Sequence, residues 1–376
     1  MKKYSFLLAA LLACACSKSN STADANIIKI GEVGSLSGSE ASFGTSTHNG
    51  IKLYFDEVNA AGGVNGKKLQ LITVDNQGKP EEAATGITKL ITQDKVVAVI
   101  GEVASSRSMA MAPIAQQYKI PMISPSSTNP KVTQQGDYIF RVCFIDPYQG
   151  QVMAKFALGN LNFKRIAVLR DIKNDYSVGL ADFFTEAFKQ NGGEVLVDQS
   201  YSAGDIDFKS QLTAIRQTNP EAIFVPGYYT EVGLIARQAR ELGMNAPLLG
   251  GDGWNSIKLI EIGGAAIQGS YFSDHYSPED TAPIVQSFIK KYQAAYNETP
   301  DGMAATGYDA AQVVVDAIKR AGSTDGPALR NALASTKDFS AVTGNITIDE
   351  NRDAKKSAVV LQIADSRFTF KTKVNP

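Results

Sequence analysis

The chain has 376 residues, of which 44% are hydrophobic, so it is long enough to form more than one hydrophobic core. Its 37 basic and 38 acidic residues nearly cancel and give a formal net charge of −1. No segment is basic enough to follow a phosphate backbone, which argues against a nucleic acid as partner. Beyond the N-terminal segment, no apolar run approaches the roughly 18 residues typical of a membrane-spanning helix.

The N-terminus has the pattern of a signal peptide. Lys2 and Lys3 precede an apolar segment, residues 6–13, that is too short to span a bilayer. The run Leu-Leu-Ala before Cys14 resembles a bacterial lipobox, which implies cleavage after residue 13 and acylation of Cys14. Cys16, which also follows small residues, is the alternative acylation site, and an ordinary cleaved signal peptide is a third possibility. Acylation would anchor the protein to a membrane on the periplasmic or other extracytoplasmic side.

The polar residues after the signal peptide predict a flexible tether over 14–26, followed by strands that alternate with helices. The first series has strands at 27–33, 69–74, 96–100 and 121–124, with helices at 45–59, 81–93 and 108–118. The second has strands at 165–169, 194–199, 222–225 and 247–249, with helices at 177–190, 208–217 and 231–242. Such alternation is typical of a parallel sheet covered by helices on both faces.

The pattern changes in the last third of the chain. A strand at 269–273 is followed by helices at 282–296, 303–321 and 327–334, and then by β-rich segments at 342–349 and 357–371. We therefore predict an α/β fold of two doubly wound parallel-sheet lobes. Lobe 1 comprises 27–144 plus 275–350, and lobe 2 comprises 145–274 plus 351–376. The resulting hinge of three crossings restricts the lobes to opening and closing.

Hydroxyl side chains follow two of the predicted buried strands. Ser105 comes shortly after the strand at 96–100, and Ser126 and Thr128 follow the strand at 121–124. Ligands of doubly wound sheets bind beyond the carboxyl ends of the strands. No His, Cys or Lys accompanies these hydroxyls, so the pattern indicates a site that holds a small molecule by hydrogen bonds.

Other features give no sign of a metal, a cofactor or a catalytic centre. Cys143 lies in the strand-like run 138–144 and is predicted to be a buried apolar residue, so no internal disulfide is expected. His48 and His275 are too far apart in sequence to indicate a metal site or a catalytic triad. The glycine-rich segment 62–67 lies between a helix and a strand, which predicts a turn rather than a phosphate-binding loop. No nucleophile elbow of the form G-x-S-x-G occurs.

In the order and spacing of its motifs, nearly the whole mature chain resembles the type I periplasmic solute-binding proteins of the leucine/isoleucine/valine-binding family. The segments that carry the resemblance are 30–31, 36–38, 43–44, 50–69, Ser105, 124–128, Tyr176, 227–228 and 251–253. The resemblance implies a binding protein rather than an enzyme. It would capture a small amino-acid-like ligand and deliver it to the membrane permease of an ABC importer.

The resemblance also implies how the first lobe would meet the ligand. A buried amino acid needs hydrogen bonds or counter-charges for its carboxylate and its ammonium, because burying either without a partner costs several kcal/mol. Ser105 and Thr128 would bind the carboxylate, and the backbone carbonyl of Ser126 would bind the ammonium. The alternative role of these hydroxyls, and of Ser105 in particular, is helix capping.

In the second lobe, Asp252 would supply the counter-charge to the ammonium. The related proteins more often have Glu there, so Asp shortens the reach by one methylene; the alternative role of Asp252 is an Asx turn or a helix cap. Tyr176 and Tyr228 match aromatic and hydroxyl contacts of the family, with packing between the lobes as the alternative.

Four residues next to these positions would shape the pocket for the ligand's side chain: Phe43, Val103, Ala104 and Trp254. Trp254 is a departure from the family, which often has a small residue there, and its ring could instead point into the core of the second lobe. Ala104 is a second departure, because some relatives have a disulfide cysteine at that position.

Two other functions remain open at this point. The same architecture serves in sensors that report ligand occupancy to a receptor, and neighbouring genes would separate the two roles. An enzyme would need a base near Ser105 or Asp252, and hydrolysis of an amide or ester that Ser105→Ala abolishes would indicate one. Besides leucine-like amino acids, the sequence leaves aromatic amino acids, amides and small carboxylates open as ligands.

Overall fold

The computed structural model describes residues 26–375, and the signal peptide, both acylation candidates and most of the tether lie outside that range. The first lobe is built on a five-stranded parallel sheet in the order β2-β1-β3-β4-β5. Its strands are β1 (Ile27–Gly34), β2 (Lys68–Asp75), β3 (Ala98–Ile100), β4 (Met122–Ser124) and β5 (Ile139–Arg141). The helices between them are α1 (Ala41–Ala60), α2 (Pro80–Lys89) and α3 (Ser105–Tyr118).

The second lobe repeats the alternation of strands and helices. Its strands are β6 (Arg165–Asp171), β7 (Glu194–Tyr201), β8 (Ala222–Phe224), β9 (Leu248–Gly250) and β10 (Tyr271–Asp274). The helices are α4 (Asp146–Lys155), α5 (Asp175–Gln190), α6 (Lys209–Gln217), α7 (Tyr229–Glu241) and α8 (Ile257–Gly263). The predicted parallel α/β architecture is therefore confirmed for both lobes.

The last part of the chain contributes to both lobes. The elements are α9 (Pro283–Tyr296), α10 (Gly302–Ala321), α11 (Gly326–Ala334), β11 (Phe339–Ala341), β12 (Gly344–Ile348), β13 (Ala354–Lys355), β14 (Ala358–Ala364) and β15 (Arg367–Val374). Ala310 and Val314 of α10 share a buried cluster with Ile51 and Phe55 of α1 in the first lobe. The strands β14 and β15 extend the second sheet by antiparallel pairing, in the order β15-β14-β10-β9-β8-β6-β7.

Three segments connect the lobes, after β5, after β10 and after β13. Because β13 still pairs with β12, the third segment begins after Lys355, a few residues beyond the position 351 expected from sequence. Arg141 at the first crossing forms an ion pair of 2.7 Å with Asp353, just before the third. The Lys356 ammonium, buried at the same third crossing, donates to the carbonyl of Val142 at 3.3 Å. The first and third crossings are thus linked by buried polar contacts.

The helix α4 is absent from the sequence-based prediction. Pro147 occupies its first turn, where proline is tolerated, and Gly150 lies in its middle, so the segment has the residues of a turn. The glycine has a packing reason, since a Cβ there would lie 2.8 Å from the backbone nitrogen of Phe184 on α5. Because Gly150 has no side chain, α4 and α5 can approach each other closely.

None of the helices between residues 26 and 375 combines the length and apolar character that crossing a bilayer requires.

Candidate functional site

A narrow cavity lies where the carboxyl ends of the strands of the two lobes face each other. Its lining residues come from both lobes and from the start of α10: Phe43, Val103, Ala104, Ser105, Ser126, Tyr176, Tyr228, Asp252, Gly253 and Met303. The cavity volume is about 10 Å³, which is on the order of what one water molecule needs. Admission of a larger molecule therefore requires the lobes or the lining side chains to move apart.

A wider cleft of about 1060 Å³ lies outside this cavity and shares no lining residue with it. Ser42 and Tyr229 line this outer cleft, and the Ser42 amide donates to the Tyr229 hydroxyl at 3.2 Å across the two lobes. We place the candidate site in the inner cavity, because that is where buried hydroxyl, phenol and carboxylate groups from both lobes meet.

Ser105 is the first residue of α3 and lines the cavity. The residue in the capping position is Ala104, and the Ser105 hydroxyl instead accepts a hydrogen bond of 3.2 Å from the amide of Asn129. This leaves the hydroxyl hydrogen available to an acceptor. The N-terminus of α3 also presents amide hydrogens without intrahelical partners, which together with the helix dipole favours an anion there.

The loop before Ser105 is fixed by a buried acidic residue. Glu102 is fully buried, accepts a hydrogen bond of 2.6 Å from the Ala104 amide and forms an ion pair of 3.0 Å with Arg107. Its charge is therefore compensated within the first lobe. Glu102 consequently positions the loop rather than offering a free charge to a ligand.

Ser126 and Thr128 lie on the loop after β4, but only Ser126 lines the cavity. The Ser126 hydroxyl is 2.8 Å from the hydroxyl of Thr306 on α10. Thr128 is fully buried, its hydroxyl makes no hydrogen bond of good geometry, and the carboxyl of Asp146 is its polar neighbour. Thr128 therefore has a polar neighbour in Asp146 and lies outside the lining of the cavity.

Two stacked phenol rings form one wall of the cavity. Tyr176 and Tyr228 have ring centroids 5.4 Å apart and are 10° from parallel, and Phe43 of the first lobe contacts Tyr228 edge to face at 5.6 Å. The Tyr176 hydroxyl accepts a hydrogen bond of 3.1 Å from the amide of Gly253. Burial raises the pKa of both phenols well above the ordinary value, so they remain neutral hydrogen-bonding groups.

Asp252 opens a short 3-10 turn after β9 and is 3% exposed. One carboxylate oxygen accepts a hydrogen bond of 3.0 Å from the Gln149 amide, and the other lies 3.2 Å from Nε2 of His275. Burial lowers the pKa of His275, so the imidazole is neutral at neutral pH. Within residues 26–375, no Lys or Arg pairs with Asp252. Its negative charge is therefore not balanced by a protein cation.

Trp254 lies in the core of the second lobe and is not among the residues that line the cavity, so the second of the two expected orientations is the observed one. Its side chain is fully buried, and the indole N–H donates to the carbonyl of Val225 at 3.0 Å. The ring packs over Gly250, where a Cβ would lie 2.1 Å from the indole. Only a residue without a side chain at position 250 leaves room for the ring in this orientation.

The cysteine within the described residues is buried and unpaired. Cys143 is a free, fully buried thiol, and burial raises its pKa to about 12. It follows β5 in a loop rather than continuing the strand. Between residues 26 and 375, no three His, Cys, Asp or Glu side chains are arranged to hold a metal ion.

The sequence-based prediction missed residues that reach the site from distant segments. Met303 lines the cavity, and Gln149 and His275 contact the Asp252 carboxylate without lining the cavity. Position offered a signal for His275, which directly follows the end of β10 just as the predicted site residues follow other strands. No such positional indication exists for Gln149, because the helix α4 that carries it is absent from the sequence-based prediction.

Direct contacts between the lobes hold the cleft closed at its rim. The Ser106 hydroxyl donates to the Asp175 carboxylate at 2.8 Å, and the Asn129 amide side chain donates to the Asp175 carbonyl at 2.8 Å. The hydroxyls of Ser42 and Ser256 also meet across the lobes, 2.7 Å apart. These bonds link the first lobe to residues of the second lobe that do not line the cavity.

Substitution of Asp175 by alanine should weaken ligand binding although Asp175 does not line the cavity. Loss of one hydrogen bond of the closed form costs about 0.5–1.5 kcal/mol, which corresponds to a dissociation constant roughly two- to tenfold higher. Titration calorimetry measures the change. Asp182→Ala on the same helix, where Asp182 pairs with Arg170 away from the cleft, is the matched control. Equal affinities of the two variants would show that the rim contact does not contribute.

Comparison with known proteins agrees with this architecture. The family model described as periplasmic binding protein matches residues 27–367. The Leu/Ile/Val-binding protein homolog 3 of Brucella melitensis is 31% identical over 328 residues, which cover 87% of this chain and 88% of the relative.

Two solved structures are similar over almost the whole chain. The leucine-binding protein LivK of Thermotoga maritima has a TM-score of 0.90 and 42% identity, covering 93% of this chain and 99% of its own. LivJ of Streptococcus pneumoniae, a branched-chain amino acid transporter substrate-binding protein in complex with isoleucine, has a TM-score of 0.88 and 36% identity, covering 93% and 100%. The chain belongs to the periplasmic binding protein family, and its fold is that of the type I members.

Proposed function

We propose that this protein binds a free amino acid, foremost a branched-chain one, between its two lobes and delivers it to the permease of an ABC importer. The observation that carries this proposal is the buried carboxylate of Asp252, which lines the cavity and has no protein cation as partner within the described chain. Burying a charge without a counter-charge is costly, and a ligand ammonium would supply that counter-charge.

The opposite side of the cavity is suited to a carboxylate. Ser105 offers a hydroxyl at the N-terminus of α3, and Thr128, which lies beside Asp146 and outside the lining, would add a second hydroxyl only when the lining moves apart. A carboxylate there would meet hydrogen-bond donors and the positive end of the helix dipole. The backbone carbonyl of Ser126 would add an acceptor for the ammonium. An α-amino acid has its ammonium and its carboxylate on the same α-carbon. This spacing matches a narrow cavity with acceptors for the ammonium on one side and donors to the carboxylate on the other.

The ligand's side chain would contact the apolar part of the lining. Phe43, Val103 and Ala104 supply this surface from the first lobe, and all three are buried in the same cluster as residues of the second lobe. Tyr176 and Tyr228 would close the opposite wall with ring surface and hydroxyls. The leucine-binding LivK and the isoleucine-bound LivJ support a branched aliphatic side chain.

Binding and closure are coupled in this proposal. The anion donors belong mainly to the first lobe, and Asp252 belongs to the second, so only the closed form satisfies both ends of the ligand. A ligand that binds the closed form better shifts the population towards it. The closed form is then the species that the permease recognises. We expect the protein to act as a binder rather than an enzyme, because the His275 imidazole is hydrogen-bonded to Asp252 and not to the Ser105 hydroxyl.

The N-terminal part of the proposal concerns anchoring. Residues 1–13 would be removed, Cys14 would be acylated, and residues up to 26 would tether the binding protein to the membrane; Cys16 is the alternative site. Mass spectrometry of the N-terminal peptide of protein from the native membrane distinguishes acylated Cys14, acylated Cys16 and an unmodified cleaved end.

A thermal-shift screen tests the ligand class. A ligand that binds only the folded protein at 100 times its dissociation constant adds about 2.7 kcal/mol to the stability. Leucine, isoleucine and valine should raise the melting temperature most. Their des-amino analogues should raise it far less, because they cannot pair with Asp252. Stabilisation by organic acids or aromatic carboxylates but by no amino acid would overturn the proposed ligand class.

A further inference from the structure

Two side chains behind the cavity hold both oxygens of the Asp252 carboxylate without adding a charge. Gln149 donates from its amide nitrogen to one oxygen at 3.0 Å, and Nε2 of His275 lies 3.2 Å from the other. Neither residue lines the cavity, so neither is placed to contact a ligand.

The orientation of the Gln149 amide is fixed by its own partners. Its oxygen accepts two hydrogen bonds of 2.8 Å, from the Asp252 backbone amide and from the hydroxyl of Ser273. A flipped amide would direct its N–H groups at the Asp252 N–H, which is also a donor, so the flip is unfavourable. The nitrogen therefore faces Asp252. Gln149 is therefore hydrogen-bonded to both the backbone and the side chain of Asp252.

The tautomer of His275 follows from its surroundings. Its ring is fully buried and packs on Phe144, with ring centroids 3.8 Å apart. Burial lowers the pKa of the imidazole, which is then neutral and carries one proton. Nδ1 has no hydrogen-bond partner, whereas Nε2 faces a carboxylate oxygen, so the proton belongs on Nε2. His275 is thus a neutral donor to Asp252.

A second carboxyl group nearby does not add to the charge. Asp146 is fully buried, and burial raises its pKa to about 8, so it is largely protonated at neutral pH. Its Oδ1 lies 3.4 Å from the Gln149 amide nitrogen. Within the cluster formed by Asp146, Gln149, Asp252 and His275, neither Asp146 nor His275 therefore adds a charge beside the Asp252 carboxylate.

We infer that Gln149 and His275 are positioning residues for recognition of a cationic group: they hold the Asp252 carboxylate by neutral donors, aimed at the cavity and with its full charge retained. This inference rests on the proposed function, in which that cationic group is the ligand's ammonium. An Arg or Lys in place of either residue would hold the carboxylate as well but would cancel the charge that attracts the ligand. Neutral donors fix the direction of the carboxylate and leave its charge unpaired.

Two variants of His275 separate positioning from packing. His275→Phe keeps a ring against Phe144 but removes the donor, whereas His275→Gln keeps an N–H donor. We expect His275→Phe to raise the dissociation constant of leucine roughly tenfold or more, as for loss of one hydrogen bond to a charged group. His275→Gln should remain within about threefold of the unchanged protein, because it restores that hydrogen bond.

Gln149→Met tests the positioning role independently of His275, again by its effect on leucine affinity. Gln151→Met, on the exposed face of the same helix, is the matched control. Each variant is measured alone and in an Asp252→Asn background, with circular dichroism and the melting temperature as tests of folding. If the residues act through the charge of Asp252, their effects on leucine binding shrink to within about threefold in that background, since coupled residues are not additive.

The results have separate meanings. Any of three results would overturn the positioning role. The first is that His275→Phe and Gln149→Met bind leucine as tightly as the unsubstituted protein. The others are that His275→Phe and His275→Gln lose the same affinity, or that the losses are as large in the Asp252→Asn background. Binding of no amino acid by the unsubstituted protein would instead overturn the proposed function itself, and the inference with it. If His275→Phe does not fold, the Gln149 arm decides.

Discussion

Asp252→Ala is expected to weaken leucine binding by about 2–5 kcal/mol, a dissociation constant roughly thirty- to several-thousandfold higher. The reason is that the substitution would leave the ligand ammonium buried without its counter-charge. The loss should appear mainly as faster dissociation, because the contact forms only after the lobes close. Titration calorimetry at ligand concentrations up to the millimolar range measures the affinity of such a weakened variant.

Two further variants show whether charge or shape is responsible. Asp252→Asn keeps the size of the side chain and should lose almost as much affinity as Asp252→Ala, because only the charge is removed. Asp207→Ala, which removes an exposed carboxylate of the same lobe, should bind leucine like the unsubstituted protein. An Asp252→Ala affinity within about threefold of the unsubstituted protein would exclude Asp252 from ammonium binding, since a buried charge pair contributes far more than that.

The alternation of strands and helices was enough to predict the fold, because burial on both faces of a parallel sheet leaves a strong local pattern. The sequence of β6 (Arg165–Asp171), for example, is a short apolar run that is followed by turn residues. The same logic predicted Ser105 and Ser126, since residues just beyond strand ends meet at one edge of the sheet. These two side chains do line the cavity.

Other site residues were beyond a local pattern for physical reasons. Met303 reaches the cavity because the chain crosses between the lobes before α10, and no local sequence pattern shows which residues a crossing brings together. Trp254 ends the short 3-10 turn that begins at Asp252, where the direction of a side chain depends on which side of the sheet has space. The space lies over Gly250 in the core, and hydrogen bonding to Val225 fixes the ring there.

The loop that carries Ser126 and Thr128 depends on a buried cation at the hinge. Arg141 is fully buried and donates to the backbone carbonyls of Ser127 and Asn129, the latter at 2.9 Å. The same guanidinium forms the ion pair with Asp353 near the third crossing. One side chain therefore connects the first crossing, the third crossing and the loop of the candidate site.

Replacement of Arg141 by methionine should destabilise the protein by about 3–5 kcal/mol, because it leaves a buried carboxylate and buried carbonyls without their partner. Urea denaturation should show a lower midpoint, and leucine binding should weaken as the 126–128 loop loses its support. Arg165→Met, which breaks an ion pair exposed to solvent, is the matched control and should cost less than about 1 kcal/mol. Adding Asp353→Leu to Arg141→Met should recover part of the stability, since no unpaired buried charge then remains. It should not recover binding, because the carbonyls of the loop still lack their donor. Similar midpoints for Arg141→Met and Arg165→Met would mean that the buried guanidinium does not hold the hinge and the loop together.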